Sequence, residues 1–320
     1  MMRRAARAAL LSVVLAAAGA IPARSAETPS EPPAEKVEPP KVTVEGAYSA
    51  YQRGLYFTAA SDAKQLAEAG DKTAMTLLGY LFLNGYGVPR NVDQAAAWLR
   101  KSADLGDPAA QYAFGQLLET ETGVPRDMQK AADYFEKADK AGLPEAAYEL
   151  GLIYLSGQGR KKDDAEALRL FRSAAEKGHP ESQYGLGTLM IEGTGIAKDE
   201  VEGTKWIGKA AQAGLPAAQV EYGIRVFNGK GVEKDEETAA AWFAKAAQAG
   251  NPVAQNRLAR LYFSGRGVDL DPVAGAKWHL LARDGGDSDP WLDGMMASLT
   301  KEQMETATRE AADFGLNWAR

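Results

Sequence analysis

The stretch Phe82–Gln94 reads FLNGYGVPRNVDQ, and its two glycines, Gly85 and Gly87, stand one residue apart. A glycine-rich loop of this kind can hold a phosphate, or it can turn the chain sharply between two helices. The stretch lacks the lysine and Ser/Thr of a phosphate loop, and no strand pattern precedes it. We therefore interpret it as a turn between two helices, with Asn91 at the start of the second.

This turn belongs to a repeat of 36 residues. Six glycines recur at that step: Gly87, Gly123, Gly159, Gly195, Gly231 and Gly267. A second glycine series keeps the same step: Gly106, Gly142, Gly178, Gly214, Gly250 and Gly286. So does a series of large side chains: Trp98, Tyr134, Leu170, Trp206, Trp242 and Trp278. Repetition at this period is typical of arrays of stacked supersecondary units.

Each unit is predicted to be a helical hairpin. Five of the first helices follow a proline, as at Pro108, where the missing N–H would be unpaired anyway. A small residue in each first helix indicates close contact with another helix: Gly79, Gly115, Gly151, Gly187, Gly223 and Ala259. Predicted N-caps precede the second helices: Asn91, Asp127, Asp163, Asp199, Asp235 and Asp271. Gln94, Glu166 and Glu202 lie three residues later and predict capping boxes.

The repeat reads A-x-x-x-L-G-x-x-Y-x-x-G-x-G-V-x-x-D-x-x-x-A-x-x-W-x-x-K-A-A-x-x-G, and it resembles Sel1-like repeats of the tetratricopeptide-repeat superfamily. The fifth complete copy matches at Ala218, Gly223, Gly229, Gly231, Val232, Asp235, Ala239, Trp242, Lys245, Ala246, Ala247 and Gly250. Glu121, Arg160 and Leu170 depart from it. The resemblance implies an all-α fold, a right-handed α/α superhelical solenoid of about seven to eight hairpins, acting as an interaction scaffold.

Five segments are expected along the chain. Residues 1–26 begin with three arginines within the first seven positions, followed by a short apolar run and small residues, the pattern of a secretory signal peptide. The apolar run is shorter than the roughly 20 residues of a membrane-spanning helix. We expect cleavage and a periplasmic or secreted protein, with an uncleaved inner-membrane anchor as the alternative. The other segments are a Pro/Glu-rich linker (27–43), a degenerate N-terminal hairpin (44–71), the repeat array (72–286) and C-terminal capping helices (287–320).

Composition excludes several classes of function. The chain has no cysteine, which rules out thiolate chemistry and zinc sites made of cysteine. Removing residues 1–26 takes away four arginines and no acid, so the net charge becomes −6 − 4 = −10. Such an acidic chain is a poor binder of nucleic acid. Of the two histidines, His179 is expected in an exposed turn and His279 in the packed interior, so no metal site, cofactor or catalytic residue is predicted.

The residues that vary between copies are the candidates for binding. Counting from the small residue of each first helix as zero, positions −3, −2, +1 and +5 share a face opposite the apolar positions. We call these positions the stripe. In helical-repeat solenoids such a face lines the concave binding surface. The candidate partner-binding residues on the stripe are Tyr80, Tyr112, Gln116, Tyr148, Glu149, Tyr184, Glu221, Arg257 and Arg260.

These patterns favour a non-catalytic, exported scaffold that binds a protein or peptide partner of the cell envelope. The resemblance links such proteins to envelope assembly, secretion or regulation of signalling. The alternative is a carbohydrate-binding module, in which the tyrosines of the stripe stack on peptidoglycan or on an exported polysaccharide. Some cysteine-rich relatives are described as binding or hydrolysing β-lactams, but this chain lacks those cysteines.

Overall fold

A computed structural model describes residues 42–318, and within that range it contains sixteen helices and no strand. The predicted signal peptide and residues 27–41 of the predicted linker lie outside the described residues. The helices are α1 (Val44–Gln52), α2 (Tyr56–Glu68), α3 (Lys72–Asn84), α4 (Val92–Asp104), α5 (Pro108–Thr120), α6 (Met128–Lys140), α7 (Pro144–Ser156), α8 (Asp164–Glu176), α9 (Pro180–Glu192), α10 (Glu200–Gln212), α11 (Pro216–Asn228), α12 (Glu236–Gln248), α13 (Pro252–Ser264), α14 (Pro272–Asp284), α15 (Pro290–Met296) and α16 (Lys301–Trp318). The predicted all-α fold of repeated hairpins is confirmed.

The helices form two compact units, one ending at Lys162 and the other beginning at Asp163. In the first unit, α1 to α3 enclose a core of small and aliphatic side chains, in which Met75, Leu78 and Leu81 are fully or almost fully buried. In the second unit, α11 to α16 share a core built around Phe243 and Leu258. In both units most helices pack mainly on their neighbours in sequence, so within each unit consecutive hairpins bury their apolar faces against one another.

The double-glycine turn has the predicted conformation. Gly85 has φ 74° and Gly87 has φ 67°, in the left-handed region that favours glycine. Glu121 occupies the Gly85 position of the next copy and keeps φ 57°, the one positive φ among the described non-glycine residues. The turn geometry therefore survives even where the glycine is lost.

The second glycine of each turn has a further constraint, which comes from the preceding hairpin. A Cβ on Gly87 would lie 2.1 Å from the carbonyl oxygen of Tyr56, and one on Gly267 would lie 2.0 Å from that of Glu236. Both carbonyls belong to the first residue of the preceding second helix. The turn thus packs directly against the backbone of the preceding second helix, and this contact leaves no room for a side chain at the second glycine.

The small residue within the first helix marks contact inside the hairpin, as predicted. A Cβ on Gly79 would lie 2.6 Å from Cγ of Leu99, and one on Gly115 would lie 2.6 Å from the ring of Phe135. In both copies the neighbour belongs to the second helix of the same hairpin. Glycine lets that large side chain press against the backbone of the first helix.

All six predicted N-caps of the second helices are confirmed, and each accepts a backbone N–H with its side chain. The predicted capping boxes of Gln94 and Glu202 are wrong. The N–H of Asn91 donates to the carbonyl of Phe82, so it is not available to Gln94. The N–H of Asp199 likewise donates to Met190 rather than to Glu202. The carboxylate of Glu166 instead pairs with Arg169.

The series of large side chains that repeats every 36 residues is only partly buried. Tyr134, Leu170 and Trp278 are core residues, but Trp98, Trp206 and Trp242 are only half-buried. A lysine three residues later lies over each of these three indoles, closest at Lys209, whose Nζ is 3.5 Å from the ring centroid of Trp206. Because positions three apart are neighbours on a helix, the lysine stem covers the outer face of the ring.

Another repeated contact joins consecutive hairpins. The side-chain amide of Gln111 donates to the carbonyl of Ala103, and Gln183, Gln219 and Gln255 repeat the bond at distances of 3.2–3.3 Å. Each glutamine is buried, and each acceptor lies near the end of the preceding second helix. The glutamine therefore fixes the first helix of one repeat onto the second helix of the repeat before it.

The C-terminal segment packs on the last repeat. Helix α16 packs on α14, where the rings of Trp278 and Phe314 meet at a centroid distance of 5.3 Å. It begins with a reciprocal capping box: the N–H of Thr300 donates to Gln303, and the N–H of Gln303 donates to the hydroxyl of Thr300. The short α15 lies between them in sequence and contacts both α13 and α14.

Candidate functional site

The structure buries several residues of the predicted partner site. Tyr80, Tyr112 and Tyr148 are 7%, 6% and 8% exposed, and Glu149 is 8% exposed. Burial and the Asp107 carboxylate raise the pKa of the Tyr80 hydroxyl well above its usual value. These side chains offer little surface to a partner, because the helix packing of the array already encloses them.

Tyr112 and Gln116 use their polar groups on each other. The amide of Gln116 donates to the Tyr112 hydroxyl at 2.8 Å, one helical turn away. The ring of Tyr112 packs on Phe135 of the neighbouring helix at a centroid distance of 5.8 Å. Part of the sequence signal at these two stripe positions therefore comes from packing within the repeat.

Glu221 is tied to a buried arginine that was not predicted. Arg225 occupies a core position that is Leu117, Leu189 or Leu261 in other copies, and its side chain is 8% exposed. It binds Glu221 at 3.0 Å, Glu200 at 3.3 Å and the hydroxyl of Thr204 at 3.1 Å. Glu221 thus compensates a buried charge.

Tyr184 lies beside this network. It is half-buried, and burial, followed by the charge of Glu221, raises the pKa of its hydroxyl. Of the candidate residues on the stripe, only Arg257 and Arg260 are exposed. These two residues line a cavity in the second unit.

The cavity, which we call the arginine pocket, measures about 300 Å³ and lies among α11, α12, α13 and α15. Its apolar wall is formed by Ile224, Phe227, Phe243, Leu261 and Trp291. Three arginines and two polar side chains complete the lining: Arg257, Arg260, Arg266, Asn228 and Ser264. Five lining residues belong to the stripe: Ile224, Asn228, Arg257, Arg260 and Ser264.

Two of the three arginines are held by carboxylates. Arg260 makes two hydrogen bonds to Asp289, at 2.6 and 2.8 Å, and its guanidinium lies 5.0 Å from the ring centroid of Trp291. Arg266 makes two bonds to Glu236 and lies 4.4 Å from the ring centroid of Phe227. Both guanidinium groups are therefore fixed in place before any ligand arrives.

Arg257 differs from its two neighbours. It is exposed, and it forms no ion pair or hydrogen bond with another residue of the 42–318 range. Lys234 also pairs with Glu236, at 2.9 Å, so the cations at the pocket outnumber its two carboxylates on a chain whose net charge is −6. An anionic group is the chemistry this surplus favours.

The repeat pattern could not identify Trp291 and Asp289, which come from α15 and the residue before it. Trp291 forms part of the pocket wall, and Asp289 fixes Arg260 while capping the helix. The one sequence signal for Asp289 is its position directly before Pro290, the arrangement of an N-cap followed by a first-turn proline.

The histidines have structural positions. His279 is fully buried as predicted, with Nε2 2.9 Å from Oδ1 of Asp293. The prediction that His179 is an exposed turn residue is wrong. Its side chain is 11% exposed and Nδ1 accepts the N–H of Ser182, which makes His179 the N-cap of α9. Asp107 and Asn251 cap other first helices in the same way, so this position could have been recognised as a cap.

The spacing Ser-x-x-Lys, typical of serine nucleophiles in β-lactam-cleaving enzymes, occurs at Ser61–Lys64 and Ser298–Lys301. Both pairs are on the surface. Lys64 lies 3.9 Å from Glu68 and Lys301 lies 3.8 Å from Glu305, each within its own helix. The hydroxyl of Ser298 donates to the carbonyl of Met295. The two lysines pair with glutamates and the Ser298 hydroxyl with a carbonyl, so the spacing here does not make a nucleophile–base pair.

The range 42–318 holds no cluster of three or more His, Asp or Glu side chains placed to bind a metal ion. None of its helices combines the length and apolar composition needed to cross a bilayer.

Comparisons with known proteins agree with the repeat. The model of the Sel1 repeat matches six times, at residues 72–107, 108–142, 144–179, 180–215, 216–251 and 252–287. A crystal structure of a Sel1 repeat protein from Oxalobacter formigenes is 33% identical, with a TM-score of 0.69, and the match covers 80% of this chain and 78% of that one.

A second similar structure is that of a protective antigen present in uropathogenic Escherichia coli strains and displaying an SLR fold. It is 26% identical with a TM-score of 0.53, and the match covers 87% of this chain and 71% of that one. No curated protein matches the chain. The six family matches span well over half of the sequence. This protein therefore belongs to the Sel1 repeat family, whose members are helical scaffolds that typically bind other proteins.

Proposed function

We propose that the chain is a non-catalytic scaffold that binds a segment of a partner protein along the stripe, with the arginine pocket as its main contact. The observation that carries this proposal is the placement of the pocket. Ile224, Asn228, Arg257, Arg260 and Ser264 were grouped by their repeat positions, and they line one cavity. Apolar walls with a few converging polar groups are typical of binding pockets.

We further propose that the partner belongs to the cell envelope and that the protein acts in envelope assembly, secretion or regulation of signalling. This part rests on the predicted signal peptide at residues 1–26. Cell fractionation of the full chain and of a chain lacking residues 1–26 tests it. The full chain should leave the cytoplasm in a shortened form while the truncated chain stays inside. Full-length protein retained in the membrane fraction would indicate an uncleaved anchor.

The carbohydrate alternative has less support. Stacking on a sugar requires an exposed aromatic face, but the rings of Tyr80, Tyr112 and Tyr148 are almost completely buried. Binding of purified peptidoglycan that is lost on substituting these tyrosines, with the fold intact, would restore that alternative.

Site-specific crosslinking in cells tests the scaffold function. A photoreactive amino acid at Ser264 lies at the pocket, and the same group at exposed Arg172, on the second helix α8, provides the control. We expect a discrete protein adduct from position 264 that disappears in an Arg257→Glu background, and none from position 172. The same adducts from both positions, or adducts from position 172 alone, would contradict binding at the stripe.

A further inference from the structure

We infer that the arginine pocket recognises an acidic peptide segment that carries one large apolar anchor residue; this inference rests on the proposed function and specifies its partner. The segment belongs to a partner protein and binds with its anchor against the apolar wall. Its Asp and Glu side chains then meet the arginines at the rim.

The wall determines the anchor. Phe243 and Leu261, which are 2% and 5% exposed, line the cavity together with Trp291, which is 43% exposed. A cavity of about 300 Å³ between these side chains suits one large aliphatic or aromatic side chain rather than a whole helix. Burying such a side chain supplies the apolar part of the affinity.

The arginines of the pocket determine the charge of the peptide residues on either side of the anchor. A guanidinium has five N–H donors, and the pairs with Asp289 and Glu236 each use two. Arg260 and Arg266 therefore retain three donors each, and Arg257 retains all five. Because the paired arginines are also stacked on Trp291 and Phe227, they lose little freedom on binding a carboxylate.

The polar ends of the pocket favour a peptide over a simple anionic amphiphile. The amide nitrogen of Asn228 donates to the carbonyl of Ile224, and the hydroxyl of Ser264 donates to that of Arg260. These bonds orient the Asn228 carbonyl oxygen and the Ser264 oxygen as acceptors. A peptide backbone provides N–H donors for them, whereas a fatty acid has no donor to offer.

The test measures binding of a defined probe to the purified full chain. The probe is a fluorescein-labelled peptide with one Phe between runs of Asp and Glu. Matched peptides carry Ser in place of the Phe, or Lys in place of the acids. We expect the acidic Phe peptide to bind best, with affinity that falls as salt rises.

Variants locate the binding. Arg257→Glu removes the unpaired cation without breaking a contact within the described residues, so it should weaken the acidic Phe peptide about tenfold or more. Ser264→Trp should fill the mouth of the pocket and also weaken binding. Arg172→Glu makes the same charge change on α8 and should leave binding unchanged. Equal thermal denaturation of all variants verifies that each one folds.

Several results would overturn the inference: no binding of the acidic Phe peptide, equal binding of the Lys peptide, equal loss with Arg172→Glu, or tighter binding of dodecanoate than of any peptide. These outcomes are separable from those of the crosslinking experiment. A partner captured from position 264 without acidic-peptide binding would refute the chemistry and leave the scaffold function standing. Peptide binding through Arg257 without any captured partner would support the chemistry and refute the scaffold function.

Discussion

Arg260 and Asp289 form a two-pronged ion pair: Arg260 Nε lies 2.6 Å from Asp289 Oδ2, and Nη2 lies 2.8 Å from Oδ1. The same carboxylate accepts the N–H of Trp291 and so begins α15. Asp289 therefore joins α13, the first helix of the last repeat, to the C-terminal segment, and it also orients an arginine of the pocket.

Asp289→Asn should reduce stability in a pH-dependent way. Burial would raise the pKa of Asp289, but hydrogen bonds from Arg260 and from the amide of Trp291 outweigh it, so the pKa lies below the usual 3.8. A carboxyl group whose pKa is lower in the folded than in the unfolded chain stabilises the fold at pH values above its unfolded-state pKa. This contribution is lost as the pH falls through the folded-state pKa. Since the arginine is half exposed, we expect a loss of about 1 kcal/mol at neutral pH.

Urea denaturation of wild type and Asp289→Asn checks this expectation. The difference in free energy of unfolding should be largest at neutral pH and should shrink as pH falls below 3.8. A difference that stays constant across this range would show that the ion pair does not carry the effect.

Gly267→Ala should be much more harmful than Gly214→Ala. Both glycines have positive φ, 67° and 94°, so alanine strains either backbone by about 1–2 kcal/mol. Only at Gly267 would the new Cβ meet backbone, 2.0 Å from the carbonyl oxygen of Glu236, whereas nothing lies within 4 Å at Gly214. Displacing that contact should cost about a further 1–3 kcal/mol. Thermal denaturation compares the two variants, and equal losses would refute the stacking role of the turn.

Arg225→Leu combined with Thr204→Ala should leave stability within about 1 kcal/mol of wild type. The double change restores residue types found at these positions in other copies, Leu261 and Ala240 for example. The double variant leaves no buried charge unpaired, because the side chains of Glu200 and Glu221 are 41% and 35% exposed and solvent can hydrate them. Arg225→Ala should instead cost about 2 kcal/mol or more, because it leaves a cavity. A severe loss in the double variant would mean that the network has no apolar substitute.

Gln219→Met should lower stability by about 1 kcal/mol through loss of one hydrogen bond to the Ala211 carbonyl. Methionine keeps the length of the side chain, so packing changes little. Gln248→Met, at an exposed position of α12, is the control and should have almost no effect. Chemical denaturation that gives equal values for the two variants would contradict the role of the buried amide.

The repeat made most of the fold predictable. A period of 36 residues marked the hairpins, turns and N-caps, because each one demands the same residue type in every copy. The hydrogen-bond partners of individual side chains could not be predicted. Gln94 looked suited to a capping box, but the N–H it needed already donates to Phe82, and that bond depends on how the turn folds back.

The candidate site was predictable only in part. Repeat position identified Arg257 and Arg260 as members of the stripe, and the structure brings them into one pocket. The same reasoning selected Tyr112 and Tyr148, which are buried, because a position on one helix does not reveal what packs over it. Trp291 escaped notice because its segment has no repeat partner with which to compare it.

The affinity of the partner captured from position 264 tests the central claim most directly. Its dissociation constant should be measured against wild type, Arg257→Glu and Arg172→Glu as purified proteins. Binding through the arginine pocket predicts a constant raised about tenfold or more by Arg257→Glu and left unchanged by Arg172→Glu. Equal constants for wild type and Arg257→Glu would contradict it and move the binding surface off the pocket.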